Sequence, residues 1–329
     1  MGFHLLSCVK DEGPFLLEWI AHHKVVGFDR ILIAYNDCTD GTDLLLRELA
    51  KFGEIDIHEN VVPEGKSPQF FAYETVKDSP FVQDAEWLAI FDSDEFINIH
   101  VGDGQLSGLL EKVDEADFLA LNWVCFGDAG LESWEEGMIT PRFKLAVEKH
   151  HVLNRGVKSI THKPIQFERF RNHHPEKFSL DRELKIANGN GEIVTHNLKT
   201  DGSIGSNYRH LAKGRSAYGL AQVNHYNVKT IDSFCLRVAR GIGYLPDQGR
   251  HSMEYFVEHS MAATELDTSI LRYETRSQNQ IDRLLSLGNV KDIYHDIISE
   301  YQRRIALVQK RLNDGEFEME NYADTSFLA

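Results

Sequence analysis

Four short apolar runs, each followed by a polar break, alternate with stretches of helical apolar spacing over the first hundred residues. This alternation limits the fold more than any other feature. Phe3 to Val9 reads as a strand that ends in Lys10-Asp11-Glu12-Gly13. Pro14 opens a helix carrying Phe15, Leu16, Trp19, Ile20 and Val26, with Gly27 as its stop. Arg30 to Tyr35 is a second strand, and Asn36 to Thr42 is a turn-rich loop. A second helix carries Leu44, Leu45, Leu46 and Leu49, Glu54 to Glu59 is a third strand, and Ser67-Pro68 starts a third helix through about Lys77. Trp87 to Phe91 is the fourth apolar run, bulky enough for a strand buried on both faces. Strands and helices joined by short connections predict a doubly wound α/β fold with a mostly parallel twisted sheet, helices on both faces and right-handed crossovers.

In such a sheet, ligands bind beyond the carboxyl ends of the strands. Three polar clusters fall on that edge: Glu12, then Asn36 to Asp40, then Asp92, Asp94 and Glu95 of the stretch WLAIFDSDEF. Asp92 and Asp94 are two apart, so in extended chain they point the same way. Their mutual repulsion would be relieved by a hard divalent cation such as Mg²⁺ or Mn²⁺ sharing its shell with phosphate oxygens. A solvated acidic turn is the plain alternative. No Gly-x-Gly-x-x-Gly follows the first strand and no phosphate-binding Gly-x-x-x-x-Gly-Lys-Ser/Thr occurs, which disfavours dinucleotide oxidoreductases and phosphate-loop ATPases.

With 35 basic and 51 acidic residues, the net charge of −16 disfavours broad binding to nucleic acid or anionic membrane. Cys8, Cys38, Cys125 and Cys235 form no CxxC pair, which argues against a zinc knuckle or disulfide framework and fits a reducing compartment. The first apolar segment lacks the basic flank and cleavage site of a signal peptide, and no apolar run approaches a membrane span.

The segments CVKDEGPFLLEWIAHHKVVGFDRILIAYNDCTDGT and WLAIFDSDEF, then NWVCFGDAG from Asn122, PRF from Pro141, VKSI from Val157, HHP from His173 and HY..KT...F..R..RG from His225 to Gly241, come in a telling order and spacing. Together they resemble the nucleotide-sugar glycosyltransferases of the GT-A (Rossmann-like) fold, and most of all the bacterial family-2-like enzymes related to glycosyltransferase family 92. The resemblance implies a glycosyltransferase domain over 1–241, with a nucleotide-binding half to about residue 100 and an acceptor half beyond it. It implies sugar transfer, with inversion, from a nucleoside diphosphate donor, UDP-linked in preference to GDP-linked, to a glycan or lipid-linked acceptor. Mn²⁺ or Mg²⁺ would sit on the diphosphate. The implied setting is the cytoplasm, peripheral to the inner face of a bacterial membrane.

Carried onto this chain, the resemblance makes Asp94 a direct metal ligand and lets Asp92 reach the ribose or the metal through water. Glu12 and Asn36 fall near the ribose and base, where an Asn36 amide can pair with the uracil edge. His225 becomes the third metal ligand. Lys229, Arg237 and Arg240 are candidates for diphosphate oxygens, a solvated helix face being the alternative. Asp128 is the candidate general base, with Glu132, Glu135 and Glu136 as competitors. Asp40-Gly41-Thr42 reads as structural, with Thr42 as a helix cap.

Beyond Gly241 the resemblance fades into a helical extension, 242–329. Ile293, Ile297, Ile298, Tyr301, Ile305, Val308 and Leu312 form a helical stripe that suits packing on the parent domain or on a second copy. An acidic end follows at Glu316 to Glu320. Two rival functions stay open: a nucleotide-sugar pyrophosphorylase or nucleotidyltransferase, and a non-catalytic nucleotide-sugar binding module.

Overall fold

The computed structural model describes residues 2–196, 216–239 and 252–314. Arg240, the boundary at Gly241 and the acidic end at 316–320 lie outside the described residues. The first half runs β1 (Gly2–Val9), α1 (Gly13–Val26), β2 (Arg30–Tyr35), α2 (Thr42–Lys51), β3 (Asp56–Glu59), α3 (Pro68–Val76), a one-turn α4 (Pro80–Gln83) and β4 (Ala85–Ile90). β1 pairs in parallel with both β2 and β4, and β2 with β3. This half is the parallel sheet that the alternation predicts.

The second half is mixed. It comprises β5 (Glu95–Ile99), α5 (Leu106–Leu110), β6 (Phe118–Cys125), β7 (Leu145–Val147), β8 (Val157–His162), β9 (Phe167–Phe170), β10 (Pro175–Phe178), β11 (Leu184–Asn188), β12 (Ile193–His196) and β13 (Ala221–His225). Then come α6 (Ile231–Ala239), α7 (Met253–Ala262), β14 (Ala263–Leu266), α8 (Glu274–Leu285) and α9 (Val290–Asn313). The large sheet has the order β12-β11-β6-β8-β4-β1-β2-β3. β8 lies antiparallel between β4 and β6. β6 divides its partners: residues 118–122 pair with β8, while Trp123 to Cys125 pair with β13, which carries β5 along its other side. The sheet curls at that division, so it is mixed rather than mostly parallel.

α1 is buried around nearly its whole circumference. α8 and α9 pack on its outer side and α9 also packs on α2, while the sheet lies beneath. A helix enclosed in this way needs no polar face, and its two buried histidines each bond a backbone carbonyl, His23 Nε2 being left without a partner among the described residues. His22 Nε2 is 2.8 Å from the Ile97 carbonyl and His23 Nδ1 is 2.8 Å from that of Trp19. Burial lowers both histidines, His22 to about 4, so they are neutral packing residues. Of the stripe on α9, Ile297, Ile298, Tyr301, Ile305 and Val308 are buried against the same chain. On α2, Leu45, Leu46 and Leu49 face the core, whereas Leu44 is 55% exposed, because at about 100° per residue it falls outside the arc those three span.

Candidate active site

β4 stops at Ile90, and the chain then turns, with the Glu95 amide donating to the Asp92 carbonyl at 3.0 Å. Trp19 of α1 pins this turn. Its indole Nε1 donates to the carbonyls of both Asp92 (3.0 Å) and Glu95 (2.9 Å). The turn ends the strand alternation, so Asp92 and Asp94 do not point the same way, and each has its own surroundings.

Asp92 is held from inside the protein. Its Oδ2 accepts from Lys158 Nζ at 2.9 Å and its Oδ1 from Gln69 Nε2 at 2.6 Å. Gln69 is braced in turn by Asn172, whose amide donates to its Oε1 at 2.6 Å. Lys158 has no exposed side-chain surface and also lies 2.9 Å from Glu95 Oε2. Burial by itself would lower the pKa of the Lys158 ammonium, but Asp92 and Glu95 outweigh it and hold the group above the ordinary lysine range. Burial pushes the Glu95 carboxyl up to about 8, with Lys158 opposing. Glu95 Oε2 also accepts from the Asp92 amide at 2.8 Å, so Glu95 closes the turn from within.

Asp94 faces the other way. His225 Nε2 lies 3.6 Å from its Oδ1 and an Arg237 guanidinium nitrogen 3.7 Å from its Oδ2. Burial disfavours the carboxylate, yet attraction and hydrogen bonding from His225, with the charges of Arg237 and Lys229, hold Asp94 well below the usual range. His225 arrives by strand register. β13 sets it opposite Glu95 on one side and Cys125 on the other, and the Tyr226 amide donates to the Asp94 carbonyl at 2.9 Å.

A cleft open to solvent is lined on one wall by Asp11, Glu12, Phe15 and Asp40 and on the other by Asn227 to Lys229, Ser233, Leu236 and Arg237. Asp92, Asp94 and His225 do not line it, and Arg237, 3.7 Å from Asp94, is the link between them. Glu12, Lys229 and Arg237 therefore meet at one place. The Lys229 ammonium lies 4.6 Å from the centre of the Phe15 ring. Asn36 sits at the tip of β2 with its amide donating to Asp37 at 2.9 Å, and the cleft wall takes Asp40 from that loop instead. Thr42 does not cap α2. Its hydroxyl accepts from the Gly13 amide at 2.8 Å, while Asp40 Oδ1 accepts from the Thr42 amide at 2.8 Å. Gly41 has a φ of 91°, as a turn glycine should. Four non-glycine residues on the same edge are left-handed: Asp11 (φ 50°), Asp37 (46°), Ala129 (55°) and Lys229 (54°). Each costs about 1 kcal/mol or more, and such strain gathers where a fold over-determines a functional loop.

Asp128 follows β6, two residues after Phe126, whose amide donates to the His225 carbonyl at 2.9 Å. It is half-buried and makes no side-chain hydrogen bond or ion pair among the described residues. Of its competitors, Glu135 is 3.4 Å from Arg142, while Glu132 and Glu136 are exposed. Arg237 donates to the Asn227 carbonyl, which fixes its reach towards Asp94.

Lys158, Gln69, Trp19 and Glu18 escaped the sequence reading. Lys158 lies within the VKSI segment, where a lysine between Val157 and Ser159 in a central strand was the available signal. Glu18 is buried in α1 and accepts from the Ile139 amide (2.6 Å), the Thr140 amide (3.0 Å) and the Thr140 hydroxyl (2.7 Å). It ties the loop that follows β6 to α1.

A divalent cation finds a partial fit. Asp94 and His225 present oxygen and nitrogen donors to one point, and a nucleotide cation draws its other ligands from phosphate oxygens and water. Both oxygens of Asp92 are already engaged. No group of three ligating side chains occurs among the described residues.

Comparison with known proteins agrees with the sequence motifs. A glycosyltransferase family 92 protein of Ricinus communis is 24% identical over 173 residues, which are 48% of this chain and 30% of that protein. The chain therefore spans less than a third of the length of the curated relative it matches. Crystal structures of S. aureus TarS 1-349, alone and in complex with UDP, are similar at TM-scores of 0.36 and 0.35, with 10% identity over 96% of this chain and 92% of theirs. A likeness that distant carries no functional argument. The profile of glycosyltransferase family 92 matches residues 5–230, and with more than half of its length inside that match, the chain belongs to glycosyltransferase family 92.

Proposed function

We propose that this protein transfers a sugar from a nucleoside diphosphate donor, UDP-linked, to a glycan or lipid-linked acceptor, with inversion at the anomeric carbon. One observation carries the proposal: Asp94 is buried beyond the end of a core strand and faces His225 and Arg237, and Arg237 in turn lines a cleft together with Glu12 and Lys229.

Under this proposal, Glu12 and the loop from Asn36 to Asp40 receive the nucleoside. Lys229 and Arg237 bind diphosphate oxygens by charge-assisted hydrogen bonds. Mn²⁺ or Mg²⁺ would be held by Asp94 and His225, and when bound it supplies positive charge against the departing diphosphate. Asp92, immobilised by Lys158 and Gln69, offers a fixed carboxylate edge to a ribose or sugar hydroxyl. The acceptor oxygen bonds to the anomeric carbon as the bond from that carbon to the diphosphate breaks. Asp128 takes the acceptor hydroxyl's proton.

The proposal extends the catalytic domain over 1–241, with a helical extension after it, in a cytoplasmic protein peripheral to the membrane. No helix among the described residues is long and apolar enough to cross a membrane. The test is incubation of the purified chain with Mn²⁺ and a panel of UDP- and GDP-sugars. Slow metal-dependent release of UDP from wild type, absent in Asp94→Asn, is the expected result. Pyrophosphate-dependent exchange would point to a nucleotidyltransferase, and binding without turnover to a binding module.

A further inference from the structure

α9 lies beyond residues 5–230 of the family match, yet Tyr301 and Arg304 of this helix line the same cleft as Glu12, Lys229 and Arg237. Arg304 is only 6% exposed. Its guanidinium donates to the Thr39 carbonyl at 2.9 Å and to the Thr39 hydroxyl oxygen at 3.0 Å. It also reaches Asp11 Oδ2 at 3.4 Å and Glu300 Oε1 at 2.6 Å. Thr39 closes the knot, its amide donating to Asp11 Oδ1 at 2.6 Å and its hydroxyl to Asp11 Oδ2 at 2.9 Å. One side chain thus fastens the loop after β1 to the loop after β2. Asp11, in the first of these loops, is left-handed.

Tyr301 stands edge-on to Phe15, with ring centres 5.6 Å apart, and packs on Trp134 at 4.8 Å. It therefore continues the apolar floor that Phe15 begins. Electrostatics add a reason for the arginine. Asp11, Glu12 and Asp40 line one wall, and uncompensated carboxylates there would repel a diphosphate. Arg304 neutralises the one nearest α9. A guanidinium spans several acceptors in one plane, whereas an ammonium offers a single point of charge.

We infer that α9 completes the nucleoside diphosphate site, with Arg304 as a positioning residue that locks the loops after β1 and β2 together and Tyr301 as part of the floor. This rests on the proposal that the cleft takes a nucleoside diphosphate.

The test is calorimetric titration of UDP, in the presence of Mn²⁺, into the full chain and four variants, with donor KM and kcat measured in parallel. Arg304→Met is expected to raise the UDP Kd and the donor KM about 10-fold, and Thr39→Val about 3-fold, each at unchanged kcat. Arg304→Lys falls between wild type and Arg304→Met. Gln302→Ala, exposed on the same helix, binds as wild type does. If Arg304→Met loses its cooperative melting transition, Thr39→Val and Arg304→Lys decide, since both leave α9 in place. Wild-type Kd in Thr39→Val and both Arg304 variants, while wild type itself binds UDP, overturns the inference and leaves the cleft assignment standing. No UDP binding by wild type overturns both.

Discussion

Asp92 and Asp94 are separated by one residue, yet they belong to different parts of the molecule. Asp92 is held from within, a fully buried lysine and a braced glutamine each taking one carboxylate oxygen, while 32% of its side chain stays exposed. Asp94 is more deeply buried, 11% exposed, with a histidine and an arginine standing 3.6 and 3.7 Å away and the arginine lining the cleft. One aspartate is locked into the scaffold while the other is kept charged and poised. Reading the two as an interchangeable pair misses the division of labour.

The comparison breaks first at Asp94. Asp94→Asn should lower turnover on the order of 10²–10³-fold and abolish Mn²⁺-dependent UDP binding in a variant that still unfolds cooperatively, at a lower melting temperature because His225 and Arg237 lose a buried partner. Wild-type donor affinity in that variant would remove Asp94 from the site.

Lys158→Met should act first on stability. Removing one partner from a buried ion pair costs about 3 kcal/mol or more, read as a shifted midpoint in urea unfolding. A variant as stable as wild type would show that Lys158 holds nothing together.

Glu18 sharpens the comparison on the cleft side. Burial raises its carboxyl to about 7, against the hydrogen bonds from Ile139 and Thr140 and the charge of Lys229. The folded state therefore holds this proton more tightly than the unfolded chain does. Its contribution is fully present below about pH 4.5, the ordinary glutamate value, and is lost as pH rises through about 7. The difference in unfolding free energy between wild type and Glu18→Gln should move by up to about 3 kcal/mol across that window. A difference that stays flat with pH would mean that Glu18 keeps one protonation state throughout.

The smallest effect is expected at His225. Its replacement by alanine should weaken Mn²⁺ affinity about 10-fold, measured by the metal dependence of UDP release. Unchanged affinity would leave the imidazole as a packing partner of Trp123, with ring centres 4.5 Å apart.

Local pattern settled the parallel half of the fold. The strands at 3–9 and 30–35, the proline-opened helix from residue 13 and the Gly27 stop follow from apolar period, fixed backbone angles and positive φ, which neighbouring residues decide among themselves. The same patterns put Glu12 and the two aspartates on one sheet edge. Short motifs with their order and spacing were enough to suggest the family. Tertiary structure alone decided the rest. β8 enters antiparallel between β4 and β6 and brings Lys158 under Asp92. β13 arrives some 130 residues after the acidic turn and sets His225 against Glu95. α9 lays Arg304 across the loops after β1 and β2. These contacts join distant segments through strand register and helix docking, which are chosen by packing over the whole core and leave no periodic trace in any one stretch of sequence.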